Sequence, residues 1–322
     1  MFCIRTYTSA RELENLRSLW ETLAAGTHST IFQSFDWNLL AIRMFGRREE
    51  PFMVCAETSY GAAIVPAVVR RNDRSVRLVG EELFDYRSFL HQGEDEVLRA
   101  ALAALAQLDS SLDVVAVREG DRRAVFEDLE LIPFTAAPLV SRSQVSAEDL
   151  SLRHNRLWRN LRRLRNQGFE LKVHSGHDSA LLRSIYEYKA MQDPDSLFHD
   201  RLRVEFIVEA ARLAPECCEI FTLECRTVLA AALVTFHDHN IRRFYTCFYD
   251  PSLAKLSPAL CLMCEVTRQS LEAGMDCDYM TGEQGYKLRL ATSSVPLYRL
   301  KATSEQLGAL SAVTVNELPL AG

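Results

Sequence analysis

One order of elements is written twice along this chain, and little else constrains its fold as tightly. The first half opens with the strand-like "FCIRTY". Leu13, Leu16, Trp20 and Leu23 then recur at helical spacing, behind a Ser9/Glu12 capping-box signature and ahead of Gly26. A second helix is expected over about 34–45, with Trp37, Leu40, Ala41 and Met44 on one face and Gly46 after it. Trp20 and Trp37 both read as core. Three strand-like runs follow, "PFMVCAET", "GAAIVPAVVRR" and "RSVRLVG", then the longer connection "EELFDYRSFLHQGE". A helix over about 95–108, the strand "LDVVAVRE", a short helix and a further strand complete the half.

After an arginine-rich helix the second half repeats this order. It runs "FELKVH", helices over about 178–192 and 201–213, and the strands "CCEIFTLE", "VLAAALVTF" and "IRRFYTCFY". A helix over about 257–273, "DCDYM", a short helix near 285–290 and "VPLYRLKAT" close it. A repeat of roughly 160 residues is far too long for a solenoid and implies two domains of one fold. The expected class is α+β, a mixed sheet with helices, and the expected boundaries are 1–145 and 146–322.

Charge and cysteine usage narrow the function classes. A formal net charge of −6 argues against a broad nucleic-acid surface. No apolar run reaches the ~18 residues that span a bilayer. "MFCIRTYTSARELENL" has no basic region followed by an apolar stretch, so a cytoplasmic location and reduced cysteines are expected. The nine cysteines are odd in number and scattered. Cys261 and Cys264 form a CxxC, but at helical spacing in an apolar run with no second pair, which reads as packing rather than zinc. "HDHN" at 237–240 lies between two strand runs and reads as a hairpin turn, and no metal is expected there or at "HSGH".

"FYTCFYDPSLAKLSPALCLM" (244–263) passes from strand to helix with no glycine. Ser257 suits an N-cap and Pro258 a first helical position. A helix N-terminus leaves N–H groups unpaired and carries partial positive charge, which favours phosphate. Lys255 stands just before it. Lys255, Ser257, Pro258, Ala259 and Leu260 are therefore the expected contacts for an anionic donor, in the second copy rather than the first.

The element order resembles the GNAT acyltransferase fold, and its tandem repetition resembles the Fem-type aminoacyltransferases. A closer resemblance is to the BioF-associated and CelD-like acetyltransferase family of bacteria. It is carried by "RHNRLWRNLRRLRNQGFELKV", "YDPSLAKLSPALCL" and "MDCDYMTGEQGYKLRL", with "IFQSFDW", "IVPAVV" and "FDYRSFL" in the first half. The chain departs from that pattern at Ala259, where the family commonly has glycine, and it lacks a glycine-rich pyrophosphate loop. The resemblance implies a donor site in the second domain, a degenerate first domain, and acyl-CoA or an acyl carrier protein as co-substrate. It implies a cleft near the strand after the donor helix, with Asp278 or Glu283 as base, Tyr286 as acid, and Lys287 and Arg289 for an anionic group. Asp85 and Tyr86 are expected to recognise the acceptor.

Three functions compete on this reading. The first is an N-acyltransferase moving an acyl group from a thioester to an amine of a small molecule or sugar, in polysaccharide or secondary metabolism. The second is a Fem-type tRNA-dependent aminoacyl or peptidyl transferase. The third is a catalytically inactive interaction module. Arg153, Arg156, Arg159, Arg162, Arg163 and Arg165 make a basic helix that reads either as a solvated surface or as a face for donor or RNA phosphates.

Overall fold

The computed structural model describes residues 2–26, 29–118, 126 and 129–313. The chain divides into two compact units, one of residues up to Thr135 together with those from Pro296 onward, the other of Ala136–Val295.

The first unit carries β1 (Cys3–Tyr7), α1 (Ala10–Leu13), α2 (Arg17–Gly26) and α3 (Phe35–Phe45). These are followed by β2 (Glu49–Glu57), β3 (Ala62–Arg70), β4 (Val76–Leu78), β5 (Leu90–Gln92), α4 (Asp95–Ala103) and β6 (Leu112–Arg118). The capping signature at Ser9 is made, with its hydroxyl accepting the Glu12 N–H. The strands order as β1-β2-β3-β4-β6, and β5 pairs with β3. Alternate residues of β3 pack under α4, so Ala63, Val65, Ala67 and Val69 meet Val97, Leu98 and Ala101 in one core. Trp20 and Trp37 are buried as the helical faces require. The short helix expected after β6 falls on 119–128, most of which lie outside the described residues.

A polar exception sits inside this unit. Glu49 is 5% exposed and Arg87 6%. Arg87 Nη1 donates to the carbonyls of Leu78 (2.8 Å) and Val79 (2.9 Å). Burial, reinforced by Glu81, pushes the Glu49 carboxyl up to about 7. Its folded pKa thus lies above the ordinary 4.5, so the folded state binds the proton more tightly. The stability this gives is whole below about pH 4.5 and declines as pH rises from there through 7, by about 3 kcal/mol. Glu49→Gln is expected to flatten that decline. Guanidinium unfolding followed by fluorescence of the two buried tryptophans checks it, and an equal decline in the variant rejects the assignment.

The second unit begins within β7 (Glu130–Val140) and continues with α5 (Ala147–Arg153), α6 (Asn155–Asn166), β8 (Glu170–Ser175), α7 (Ser179–Gln192) and α8 (Arg201–Leu213). Then come β9 (Cys218–Cys225), β10 (Val228–Asp238), β11 (Ile241–Tyr249), α9 (Pro258–Glu272), β12 (Asp276–Asp278) and α10 (Gly285–Leu290). The strand order is β7-β12-β11-β10-β9-β8. As the repeat predicts, β9, β10 and β11 are antiparallel neighbours, and β11-α9-β12 is a crossover to a parallel strand. "HDHN" is the β10–β11 turn, with Asp238 opposite Ile241 and His239 left-handed at φ 51. Cys261 and Cys264 are 1% exposed in the core under α9. Burial pushes both thiols up to about 12. Among the described residues no group of three or more His, Cys, Asp or Glu is placed to hold a metal ion. No helix there is long and apolar enough to cross a membrane.

The last elements, β13 (Ser293–Ala302) and α11 (Ser304–Val313), return the chain to the first unit. Leu297–Ala302 pair antiparallel with β6, and Leu307 and Leu310 join the core under α4. Each repeat's final strand therefore contributes to the sheet of the other unit: β7 pairs with β12 through Leu139 and Val140.

Candidate active site

The strands β11 and β12 part company early. Their parallel pairing covers only Ile241↔Asp276, Arg242↔Cys277 and Arg243↔Asp278. Beyond Arg243, β11 runs on for six residues with β10 as its ladder partner. A buried ion cluster marks the parting. Arg243, 3% exposed, donates to both carboxylate oxygens of Asp238 (2.7 Å each) and to Asp278 Oδ2 (2.6 Å). Asp278 Oδ1 accepts the Met280 N–H at 2.8 Å, holding the turn in which Met280 is left-handed at φ 64.

A β-bulge then decides which side chains face the gap. The register with β10 slips between Val234↔Thr246 and Thr235↔Phe244, so Tyr245 is the extra residue. Arg242 and Phe244 face α9: Arg242 bonds Ser270 of that helix (2.9 Å), and Phe244, edge-on to Tyr279, shares the core cluster of α9's Leu262 and Val266. Without the bulge Thr246 would share that face. Instead its hydroxyl accepts from Tyr186 of α7 (3.1 Å), and Phe248 stacks on Tyr188 of α7. Cys247 and Tyr249 are turned into the gap.

The gap is a groove of about 410 Å³. Cys247 and Tyr249 line it from β11, Lys189 and Gln192 from α7, Ala254 and Ser257 from the connection, Ala259 and Leu260 from α9, and Tyr286 from α10. Gln192 Nε2 donates to the Tyr249 carbonyl (2.6 Å) and Lys189 Nζ to that of Cys247 (3.4 Å), so α7 is stitched to the strand's unladdered edge. Among the described residues, one lysine and no carboxylate line the groove.

Ser257 is not the N-cap that the sequence suggests. Its side chain makes no capping bond, because Ser257 is left-handed (φ 50, ψ 55). That conformation closes the 3-10 turn Pro251–Leu256, where the Ser257 N–H reaches the Ala254 carbonyl (2.9 Å). Asp250 caps that turn instead, accepting the Ser252 N–H (2.8 Å). Pro258 does occupy the first helical position. Pro258 has no N–H, and Cys261 N–H reaches the Ser257 carbonyl (3.0 Å). The N–H groups of Ala259 and Leu260 therefore stand at the helix's open end, in the groove wall, with no intrahelical acceptor.

The other sequence-selected residues are distributed as follows. Tyr286 lies in the groove wall, 39% exposed, and burial pushes its phenol up to about 12. Asp278 is engaged by Arg243. Glu283, Arg289 and Lys255 are exposed outside the groove lining. Lys287 is 8% exposed, and its ammonium donates to the carbonyls of Thr281 (2.6 Å) and Met280 (3.4 Å), bracing the loop before α10. Asp85 is half-buried and Tyr86 is 2% exposed in the first unit. Tyr86 lies edge-on to Phe32 and lines a hollow of about 10 Å³. That space has room for one water molecule at most. The pattern passed over Lys189, Gln192, Cys247 and Tyr249. Lys189 and Gln192 are three apart on α7, and that shared helical face was the only available signal. Burial pushes the Cys247 thiol up to about 11 against the pull of Lys189 and Lys287, so it is protonated at neutral pH and is no nucleophile there.

A family model described as an acetyltransferase (GNAT) domain matches residues 151–288, the stretch that builds this groove. The fold is similar to that of a conserved protein of unknown function from Bacteroides thetaiotaomicron, with TM-score 0.63, 12% identity, and coverage of 94% of this chain and 100% of that one. It is also similar to FemX, with TM-score 0.59, 8% identity, and coverage of 94% and 98%. A tandem GNAT protein from the clavulanic acid biosynthesis pathway gives TM-score 0.53, 10% identity, and coverage of 94% and 99%. At these identities the likeness is one of fold. Curated proteins give no match. The family match supports a GNAT domain within the second unit, and the whole chain has a tandem GNAT-type fold.

Proposed function

We propose that the second domain is an N-acyltransferase that moves an acyl group from a thioester onto the amine of a small molecule or sugar. In this reading the first domain is a degenerate copy, and the division at 145/146 is where the repeat begins again. One observation carries the reading. The open N-terminus of α9, the Lys189 ammonium and the protonated Tyr286 phenol converge on one groove with no carboxylate among its described lining residues, at the point where two parallel strands separate. Such a groove favours a phosphate-bearing carrier over a cationic ligand. The amine attacks the thioester carbonyl, the C–N bond forms, and the C–S bond breaks without a covalent enzyme intermediate. Tyr286 donates to the departing sulfur. Glu283, exposed before α10, accepts the amine's proton through water. Asp278 acts as a positioning residue through Arg243. Lys255 and Arg289 screen the carrier's outlying charge. Acyl-CoA or an acyl carrier protein supplies the thioester, in line with the chain's resemblance to CelD-like acetyltransferases.

Ala259→Asp tests the donor site, because its two effects have opposite signs. A carboxylate in the first turn of a helix is favourable by about 0.3–1 kcal/mol, so thermal stability is expected to hold or rise. A like charge against the carrier's phosphates is expected to weaken acyl-CoA binding at least roughly tenfold. Calorimetric titration of both proteins with acetyl-CoA and a long-chain acyl-CoA reads this directly. No uptake by the unsubstituted protein, or equal uptake by the variant, rejects the site.

A further inference from the structure

All six arginines between Arg153 and Arg165 are exposed. Arg165 lies 3.5 Å from Glu265. Arg153, Arg156, Arg159, Arg162 and Arg163 have no carboxylate within ion-pair distance among the described residues. Arginines elsewhere are commonly paired: Arg17 with Asp36, Arg183 with Glu205, Arg299 with Asp113. An acidic chain with 43 carboxylates could have neutralised this stretch, yet α6 contains neither an acid nor a lysine. Its Leu161 and Leu164 are buried in the core with Asn160, Leu157 and Trp158 are half-buried against the same core, and the exposed positions of the helix are arginine and asparagine alone. Arg156, Arg159 and Arg163 fall on one stripe about 10 Å long.

We propose that this face docks a run of phosphodiesters on a polynucleotide. The guanidinium fork matches phosphate oxygens two at a time, which a lysine face would not do. A protein partner requires an apolar anchor region, and the apolar side chains of α6 are buried or packed against the core; among the described residues Leu152 of α5 is the exposed large apolar side chain nearest to it in sequence. A membrane surface requires apolar residues free to insert, and those of α6 are committed to the core. The net charge of −6 means that the face works at short range, so docking is steeply salt-dependent. The helix packs against both α9 and the 251–256 turn, and the Cys261 thiol reaches the Leu157 carbonyl at 3.4 Å. A polynucleotide held there lies beside the groove-forming turn. The inference stands whether or not that groove takes an acyl donor.

The test is fluorescence-anisotropy titration of the full chain with mixed tRNA, duplex DNA of similar length and vesicles of anionic phospholipid, from 50 to 200 mM salt. The expected result is binding to tRNA, to duplex DNA or to both, with a log–log salt slope of about −3 to −4. The variant Arg156→Gln/Arg159→Gln/Arg163→Gln is expected to bind at least tenfold more weakly, with a slope shallower by about 2. Its melting temperature and acyl-CoA binding should be unchanged, which separates failure here from failure of the acyltransferase reading. Absence of polynucleotide binding at 50 mM salt, binding to vesicles alone, or equal binding by the variant overturns the proposal.

Discussion

Replacing Arg243 with alanine is expected to cost the second unit about 3–5 kcal/mol, the penalty for removing one partner of a buried ion cluster. Arg243 is 3% exposed, and the side chains of Asp238 and Asp278 are each 13% exposed. Two carboxylates would be left without their shared cation in a place water hardly reaches. Arg243→Lys is expected to recover part of that loss only, because one ammonium cannot reproduce the fork that meets both oxygens of Asp238 and a third on Asp278. Denaturant unfolding of both variants, with Asp278→Asn and the double variant to close a mutant cycle, measures the coupling. A loss below about 1 kcal/mol for Arg243→Ala would mean that the cluster does not hold the strands. The cycle also separates two roles for Asp278. Loss of a general base would remove the acidic limb of the pH–rate profile. Loss of an anchor lowers stability and activity together and leaves that limb where it was.

That cluster shows where the sequence could be read and where it could not. Elements built from local periodicity were legible: α8 over 201–213, the three antiparallel strands of each half, and the helix begun by Pro258. The parting of β11 and β12 was expected only through a family resemblance, and its cause was hidden, since Arg243 meets Asp278 across 35 positions. The fate of β13 was hidden for a similar reason. "VPLYRLKAT" reads as a strand in isolation, but pairing with β6 is a property of residues about 180 positions away. Ser257 failed as a cap because the preceding turn, not the helix, sets its backbone. The bulge at Tyr245 leaves no mark in the alternation of "IRRFYTCFY", yet it decides that Cys247 and Tyr249 rather than Thr246 face the groove. Of the residues singled out in advance, the structure brings Ser257, Ala259, Leu260 and Tyr286 to one groove, and places Asp85 and Tyr86 in the packed first unit.

Tyr286→Phe is expected to lower kcat roughly 10- to 150-fold while leaving donor binding and stability nearly unchanged. The size follows from matching proton affinities. Burial pushes the phenol up to about 12, whereas an alkyl thiol ionises near 8.5. Full transfer of the proton to a departing thiolate is therefore uphill, and a hydrogen bond rather than a completed proton transfer is the expected contribution. What remains is a hydrogen bond from the phenol to charge developing on sulfur, worth about 1.5–3 kcal/mol. Phenylalanine keeps the ring that walls the groove and removes only the donor. The pH dependence carries the same signature. An acid must be protonated to act, so activity falls as pH rises through its pKa, and a phenol near 12 gives no falling limb below about pH 10. Thioesters with more acidic leaving thiols need less help at sulfur, so the penalty of Tyr286→Phe should shrink along a series from alkyl to aryl thioesters. A uniform penalty across that series would point to a role in shaping the groove, and a variant within twofold of the unsubstituted enzyme would remove Tyr286 from the chemistry.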